Sequence, residues 1–389
     1  MSIDFSLSEE QLLIQDTARN FAETVLAPSA AELDETVNYD LLKGHLRQLA
    51  ELGFMGINID PEYGGTGAGT VAFSLAITEL GAGCAATGVT VSVSNMVAEV
   101  IQAIGSEEQK QRYLPRLCGG EYLAGAFCLT ETGAGSDPAG MKTSARRDGD
   151  EWVINGNKLF ITSGEYAGVM VVWAVTDPTA RKGKGISCFL VEADAPGVTF
   201  GPAEHKMGQK GSATNAVYFD ECRVPADALM GKENDGFRIA VAELAGGRIG
   251  IGSLALGIGR AAMDQARQYL TERQQFGQPL SNFQGLQWEL ADRYTELEAS
   301  RLLLLQAAWI KDQGRPFARE AAMAKLFATE KANQACYTAL QMYGGAGYIK
   351  DYPIERMARD ARITTIYEGT SEIQRMIIAR ELLREVSAH

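Results

Sequence analysis

The hydrophobic residues of this chain change their spacing twice. From Ser6 to about Gly125 they recur every three to four residues, the interval of amphipathic helices. Between about Tyr122 and Pro225 the interval falls to two, in β-branched runs separated by turn residues. From about Gly236 the helical interval returns and holds to the end. Strands that follow one another without intervening helices argue against a doubly wound parallel sheet and favour an antiparallel barrel or sandwich. The expected class is therefore α+β. A helical domain covers residues 1–125, an antiparallel β-barrel or sandwich covers 126–235, and a helical domain of four-helix-bundle type covers 236–389.

Local signals refine this outline. Ser8-Glu9-Glu10-Gln11 has the form of a capping box, and Pro28 closes the helix that follows it. Tyr39–Leu52, Val71–Leu80 and Thr87–Ile104 read as further helices. The glycine-rich run Pro61–Gly69 lacks the Gly-Lys-Ser/Thr ending of a phosphate-binding loop and reads as a helix connection. In the β segment, Val169–Val175 is a continuous apolar run suited to a buried strand, and Ile186–Val191 and Ala216–Phe219 are two more. Asp148-Gly149 and Asn155-Gly156 are hairpin-type turns. Phe237–Tyr269, Gln284–Asp312, Pro316–Met342 and Ser371–Leu383 are the expected long helices near the C-terminus.

Charge and composition exclude several functions. Lys and Arg number 36 against 49 Asp and Glu, a net charge of −13. Nucleic acid or an anionic membrane as principal partner would require a cationic surface. No apolar run reads as long enough to span a bilayer, so membrane insertion is not expected. No secretory signal is evident at Met1–Phe5. The six cysteines are scattered without a C-x-x-C pair, which suits reduced thiols in the cytoplasm, or in an organelle matrix if a targeting segment has been removed. With three histidines, a histidine-built metal site or catalytic triad is poorly supplied, and no metal is expected. A redox reaction would need a cofactor.

Four stretches could carry chemistry. Ala126–Asp137 runs from a strand into a loop of Gly, Ser and Thr, offering backbone N–H groups and hydroxyls that suit a flavin edge or a phosphate; read alone, such a loop is more often a glycine-rich connection. Arg273–Gly277 ends a helix with an arginine able to pair with a diphosphate, or simply a solvated helix end. Gln341–Tyr348 has more glycines than a helix stop needs. Ile366-Tyr367-Glu368-Gly369-Thr370-Ser371-Glu372 delivers a carboxylate from an apolar run into a glycine break. Glu368 is either a base whose pKa is raised by desolvation or a solvated carboxylate before a helix capped by Thr370 or Ser371.

Together with Pro353, Arg356, Arg359 and Asp360 beyond Tyr348, these motifs resemble the acyl-CoA dehydrogenase family over nearly the whole chain, most closely its short-chain, butyryl-type branch. The resemblance implies FAD as cofactor and Glu368 as catalytic base. Some branches carry the base instead on the first C-terminal helix, just before an arginine; here that position is Gly247, before Arg248. Phe127, Leu129, Thr130, Ser136, Phe160 and Thr162 match positions that hold the flavin or the CoA. Arg273, Phe276, Gln284, Gln341 and Gly345 match positions reaching the FAD of a neighbouring subunit, and Thr370 and Glu372 match adenosine contacts. Ser136, Leu244, Gly247, Arg248, Tyr367 and Gly369 match the substrate region. A homotetramer built as a dimer of dimers is implied, with an electron-transferring flavoprotein as acceptor. Phe160 departs from the tryptophan common in the family.

The implied reaction is α,β-dehydrogenation of a short-chain acyl-CoA to the trans-2-enoyl-CoA, as in fatty-acid β-oxidation. Glu368 takes the α proton and the β hydride passes to flavin N5. The developing enolate is held by the Glu368 backbone N–H and a ribityl hydroxyl. A branched substrate such as isobutyryl-CoA is the alternative, whereas Thr87, at the position of a substrate-binding arginine in the glutaryl-specific branch, disfavours a dicarboxylic chain. A CoA-thioester lyase on the same scaffold would lack the glutamate. A DNA-associated relative would need a basic surface, and an oxygen-using oxidase is usually longer.

Overall fold

A computed structural model describes residues 6–387. Six helices come first: α1 (Glu9–Phe21), α2 (Ala27–Thr36), α3 (Tyr39–Glu51), α4 (Gly69–Gly83), α5 (Ala85–Ile104) and α6 (Glu107–Cys118). The Ser8 capping box forms as expected, each side chain bonding the other's backbone N–H. Pro28 does not stop the helix. A π-helical turn over Ala22–Leu26 breaks the regular hydrogen-bond ladder first, so Pro28 falls in the first turn of α2, where its missing N–H costs little. The helices α2 and α6 went unrecognised in the sequence.

Eight strands follow: β1 (Gly125–Cys128), β2 (Ser144–Asp148), β3 (Glu151–Thr162), β4 (Val169–Val175), β5 (Ile186–Glu192), β6 (Val198–Phe200), β7 (Thr214–Pro225) and β8 (Leu229–Met230). Their order is β6-β7-β3-β2-β4-β5-β8, with β1 beside β4. Pairing is mostly antiparallel, but β1 runs parallel to β4, and β2 meets β4 through one parallel pair, Ser144 and Val175. The sheet is thus mixed rather than wholly antiparallel. Trp152, Ile154 and Phe219 from one half share a core with Met170, Val172 and Phe189 from the other. Asp148-Gly149 makes the β2–β3 hairpin. Asn155-Gly156 does not turn the chain; it is a bulge inside the single long strand β3, where the register against β7 slips. Gly156, at φ 143°, lies so close to Thr143 that a Cβ would stand 2.6 Å from its Oγ1.

The C-terminal part comprises α7 (Gly236–Glu272), a short hairpin of β9 (Gln274–Gln275) and β10 (Gln278–Pro279), α8 (Gln284–Asp312), α9 (Ala318–Tyr343), α10 (Ile354–Arg362) and α11 (Ser371–Ser387). Of these, α10 was not expected. By length and composition α5 and α7 could each cross a bilayer, contrary to expectation. Both are instead mostly buried inside the protein: α7 packs on α4, α5, α8 and α9. Gly257 lets α7 and α4 touch, since a Cβ there would stand 2.0 Å from the Thr78 carbonyl oxygen. All six cysteines are buried and unpaired.

Candidate active site

The site forms where α5 is held between β1 and α7. Val97 of α5 packs on Gly125 of β1, and the neighbouring Met96 reaches Gly247 of α7. Against Gly247 stands Glu368. A Cβ on Gly247 would be 2.9 Å from Glu368 Oε2 and 2.7 Å from Met96 Sδ. The carboxylate therefore fills the space that glycine leaves open. Although Glu368 as a residue is only half-buried, Oε2 is sealed from solvent and has no hydrogen-bond partner in the chain.

The backbone that delivers this carboxylate is strained. Glu368 has φ 55° and Gly369 φ 88°, two left-handed residues in succession. The first is uncommon for a residue with a side chain and costs on the order of 1–3 kcal/mol. Buried donors hold the turn: Gln374 Nε2 donates to the Glu368 and Gly369 carbonyl oxygens at 3.2 and 2.8 Å, and Lys325 Nζ donates to the Gly369 oxygen at 2.8 Å. Thr370 Oγ1 accepts the Ile373 N–H at 3.3 Å, capping α11. The cap reading and the buried-carboxylate reading thus hold together, on residues separated by Gly369 alone.

Burial raises the Glu368 pKa, and the Arg248 and Lys325 cations oppose that rise. Arg248 is buried with Nε unpartnered, and desolvation pulls its guanidinium down to about 10. Tyr367 is pushed up by burial, and its hydroxyl accepts from Gln209 Nε2 at 3.2 Å. Such an unsatisfied, desolvated carboxylate flanked by cations suits a base that waits for a ligand.

The middle-domain residues gather on one side of this point. Phe127 packs on Trp173 with ring centroids 4.3 Å apart, and both Phe127 and Leu244 border the core that contains Leu129. The Leu159 N–H donates to the Thr130 carbonyl oxygen at 2.9 Å, joining the Phe127–Thr130 loop to the Phe160–Thr162 end of β3. Beneath that loop lies a buried ion pair that sequence reasoning missed. Glu131 accepts from Lys158 Nζ at 2.8 Å and from the Lys142 and Thr143 N–H groups at 2.6 and 3.0 Å. Phe160 is 61% exposed at φ 58°, whereas Lys158 and Ile161 of the same strand are buried. Ser136 is exposed on the loop. A flat exposed aromatic beside hydroxyls and free loop backbone fits a ring-bearing cofactor of the flavin kind. Thr87 is fully buried and shares a hydrogen bond of 3.3 Å with His45 Nδ1.

Other sequence-selected residues lie elsewhere. Arg273, Phe276, Gln284, Gln341 and Gly345 are all exposed at the far end of the C-terminal helices. The ends of α7 and α9 meet there through Tyr269 and Tyr343, stacked at 4.1 Å. At 1.5 Å per residue, Arg273 stands roughly 39 Å along α7 from Gly247. These residues cannot join Glu368 within one chain. Glu372 is exposed on α11, near Arg375. Lys325 and Gln374 are the site residues that sequence reasoning overlooked. The signal for Lys325 was a lone lysine in the alanine stripe Ala321, Ala324, Ala328 of a helix. Among the described residues no cluster of metal-ligating side chains occurs.

Three family descriptions match along the chain: "Acyl-CoA dehydrogenase, N-terminal domain" over residues 8–121, "middle domain" over 126–222 and "C-terminal domain" over 234–383. The chain is 47% identical over 385 residues to acryloyl-CoA reductase (NADH) of Anaerotignum propionicum, covering 98% of this chain and 96% of that protein. It is 44% identical to the short-chain specific acyl-CoA dehydrogenase of Clostridium acetobutylicum, covering 98% of this chain and 100% of that one. The structure of butyryl-CoA dehydrogenase from Megasphaera elsdenii superposes with a TM-score of 0.95 at 40% identity, covering 98% of this chain and all of the other.

Proposed function

The chain belongs to the acyl-CoA dehydrogenase family, an FAD-dependent oxidoreductase acting on acyl-CoA thioesters, and on that premise we propose that it interconverts a short-chain acyl-CoA and its trans-2-enoyl-CoA with Glu368 as the base. The observation that carries this reading is the sealed, unpartnered Oε2 of Glu368 over Gly247. A side chain at 247 would occupy the space the carboxylate uses, so the glycine and the glutamate form one arrangement.

Glu368 takes the proton α to the thioester carbonyl. The Glu368 N–H, which no described residue accepts, donates to the carbonyl oxygen as negative charge develops there. Arg248 orders the substrate end of the site and opposes the rise that burial causes in the Glu368 pKa. Phe127, Leu129, Thr130, Phe160 and Thr162 would hold FAD, and Ser136 would meet FAD or CoA. Bound FAD supplies the acceptor for the β hydride. The same residues serve the reverse reaction, with Glu368 returning the proton, and the A. propionicum relative is named as a reductase. Electrons leave to an electron-transferring flavoprotein. Met96, seated against Gly247, narrows the space over that glycine, which supports a straight acyl chain of about butyryl size. Arg273, Phe276, Gln284, Gln341 and Gly345 complete the FAD site of a neighbouring subunit, in a homotetramer.

Anaerobic titration of the yellow protein with propionyl-, butyryl-, hexanoyl-, octanoyl-, isobutyryl-, isovaleryl- and glutaryl-CoA tests the substrate. Bleaching is expected to be fastest with butyryl-CoA. Fastest bleaching by a branched, dicarboxylic or eight-carbon chain would overturn the short, straight-chain reading.

A further inference from the structure

A second buried cation lies beside Glu368, and the chemistry above gives it no role. Lys325 is 0% exposed on α9 and faces the turn before α11. Lysines on helices ordinarily run their stems along the surface and keep the ammonium in water. This one points inward, among Ala321, Ala328 and Thr329, and its Nζ donates to the Gly369 carbonyl oxygen at 2.8 Å. Burying an ammonium costs several kcal/mol, which one hydrogen bond to a neutral carbonyl does not offset. The acids acting on it are Glu368 first, then Glu330 and Glu372, while Arg248 acts against it. Glu330 is already engaged by Ser371 Oγ at 2.6 Å, and Glu372 is exposed. The buried counter-charge is therefore Glu368. The charged groups that act on that carboxylate are Arg248 of α7 and Lys325 of α9; α5 presents Met96, which does not titrate.

We propose that Lys325 is a positioning residue for Glu368: its hydrogen bond to Gly369 fixes the left-handed turn that aims the carboxylate over Gly247, and its ammonium places a positive charge beside that carboxylate in a dry site. The inference rests on the reading of Glu368 as the base. Lys325 and Gln374 converge on one carbonyl from two helices, α9 and α11, so the strained pair at 368 and 369 is held from both sides. Removing the charge while keeping a donor separates the two effects.

The test uses holoenzyme and follows the rate of flavin reduction by saturating butyryl-CoA as a function of pH, for the wild type, Lys325→Gln, Lys325→Met and Glu368→Gln. Lys325→Gln is expected to keep its FAD and to move the acid limb of the profile upward by about one pH unit, as loss of a nearby opposite charge does. Lys325→Met is expected to show the same move and a plateau lower by roughly ten-fold or more, because the turn loses a donor. An acid limb left in place in Lys325→Gln, with the rate scaled equally at every pH, would overturn the proposal, as would loss of FAD from both lysine variants. Wild-type reduction in Glu368→Gln would instead overturn the base itself, so the two failures are told apart.

Discussion

Glu368 at φ 55° and Gly369 at φ 88° show why this turn tolerates so little change. A Cβ on Gly369 would stand 2.7 Å from Gln374 Nε2, one of the donors that holds the turn. Gly369→Ala is expected to lose about 1–3 kcal/mol of stability, read as a lower unfolding midpoint. Gly247→Ala meets Glu368 Oε2 and Met96 Sδ and displaces the carboxylate. It is expected to retain FAD while flavin reduction by butyryl-CoA slows roughly 10²-fold, the effect of a misplaced reacting group. The pH dependence follows from burial. Because the Glu368 pKa is raised, the base is protonated below that raised value, and reduction should climb with pH through an acid limb lying above the ordinary carboxylate range. The glutamate stood out by its apolar run and glycine break, whereas Gly247 and Arg248 were singled out only through the family resemblance. Lys325 and Gln374 were not, because their contribution lies in the carbonyl they reach, and periodicity reports only which face of a helix they occupy.

The β elements show the same division between what spacing reveals and what pairing decides. Apolar runs and turn residues were enough to place β4, β5 and the hairpin at Asp148-Gly149. They could not separate a hairpin from a bulge at Asn155-Gly156, since both put a glycine at an unusual φ and only the partner strand distinguishes them. They also could not show that β1 lies parallel to β4. Nor could they pair Glu131 with Lys158 across 27 residues of chain. That pair is the loop's anchor. Burial opposes ionisation of Glu131, but Lys158 and the two backbone N–H donors outweigh it and hold its carboxyl below the ordinary range. Its contribution is therefore present at neutral pH and is lost as pH falls through the lowered folded value. Glu131→Ala leaves the Lys158 ammonium buried without a partner and is expected to cost about 3–5 kcal/mol, with FAD lost alongside. The double variant Glu131→Leu, Lys158→Met should lose less, because neither charge is then stranded. Comparing their urea midpoints checks this.

At the scale of the molecule, the helical–β–helical order was evident from the two changes of period, because each period reflects how an element buries one face. The mutual arrangement of the parts was not evident, since it depends on contacts such as Val97 on Gly125 and Met96 on Gly247 between segments far apart in sequence. The chain also leaves large aromatic side chains uncovered at the far end of the C-terminal helices: Phe276 is 90% exposed, Tyr348 83% and Tyr337 72%. A Cβ at Gly345 would meet nothing within 4 Å, so the chain's own packing does not call for glycine there. In the proposed homotetramer, coverage of this end by a second subunit and its FAD would account for both facts. Phe276→Ser and Arg273→Ala are accordingly expected to lower FAD retention on gel filtration and to shift sedimentation towards smaller species, with helical content unchanged.

In the proposed reaction Glu368 removes the α proton. Glu368→Gln conserves the size of the side chain and removes the base, and the carboxylate nearest Gly247 is that of Glu368. The most direct measurement is anaerobic flavin absorbance of this variant after mixing with butyryl-CoA. FAD is expected to stay bound, butyryl-CoA to perturb the spectrum on binding, and the flavin not to bleach, a loss of at least about 10²–10⁴-fold in rate. Bleaching at the wild-type rate would contradict it.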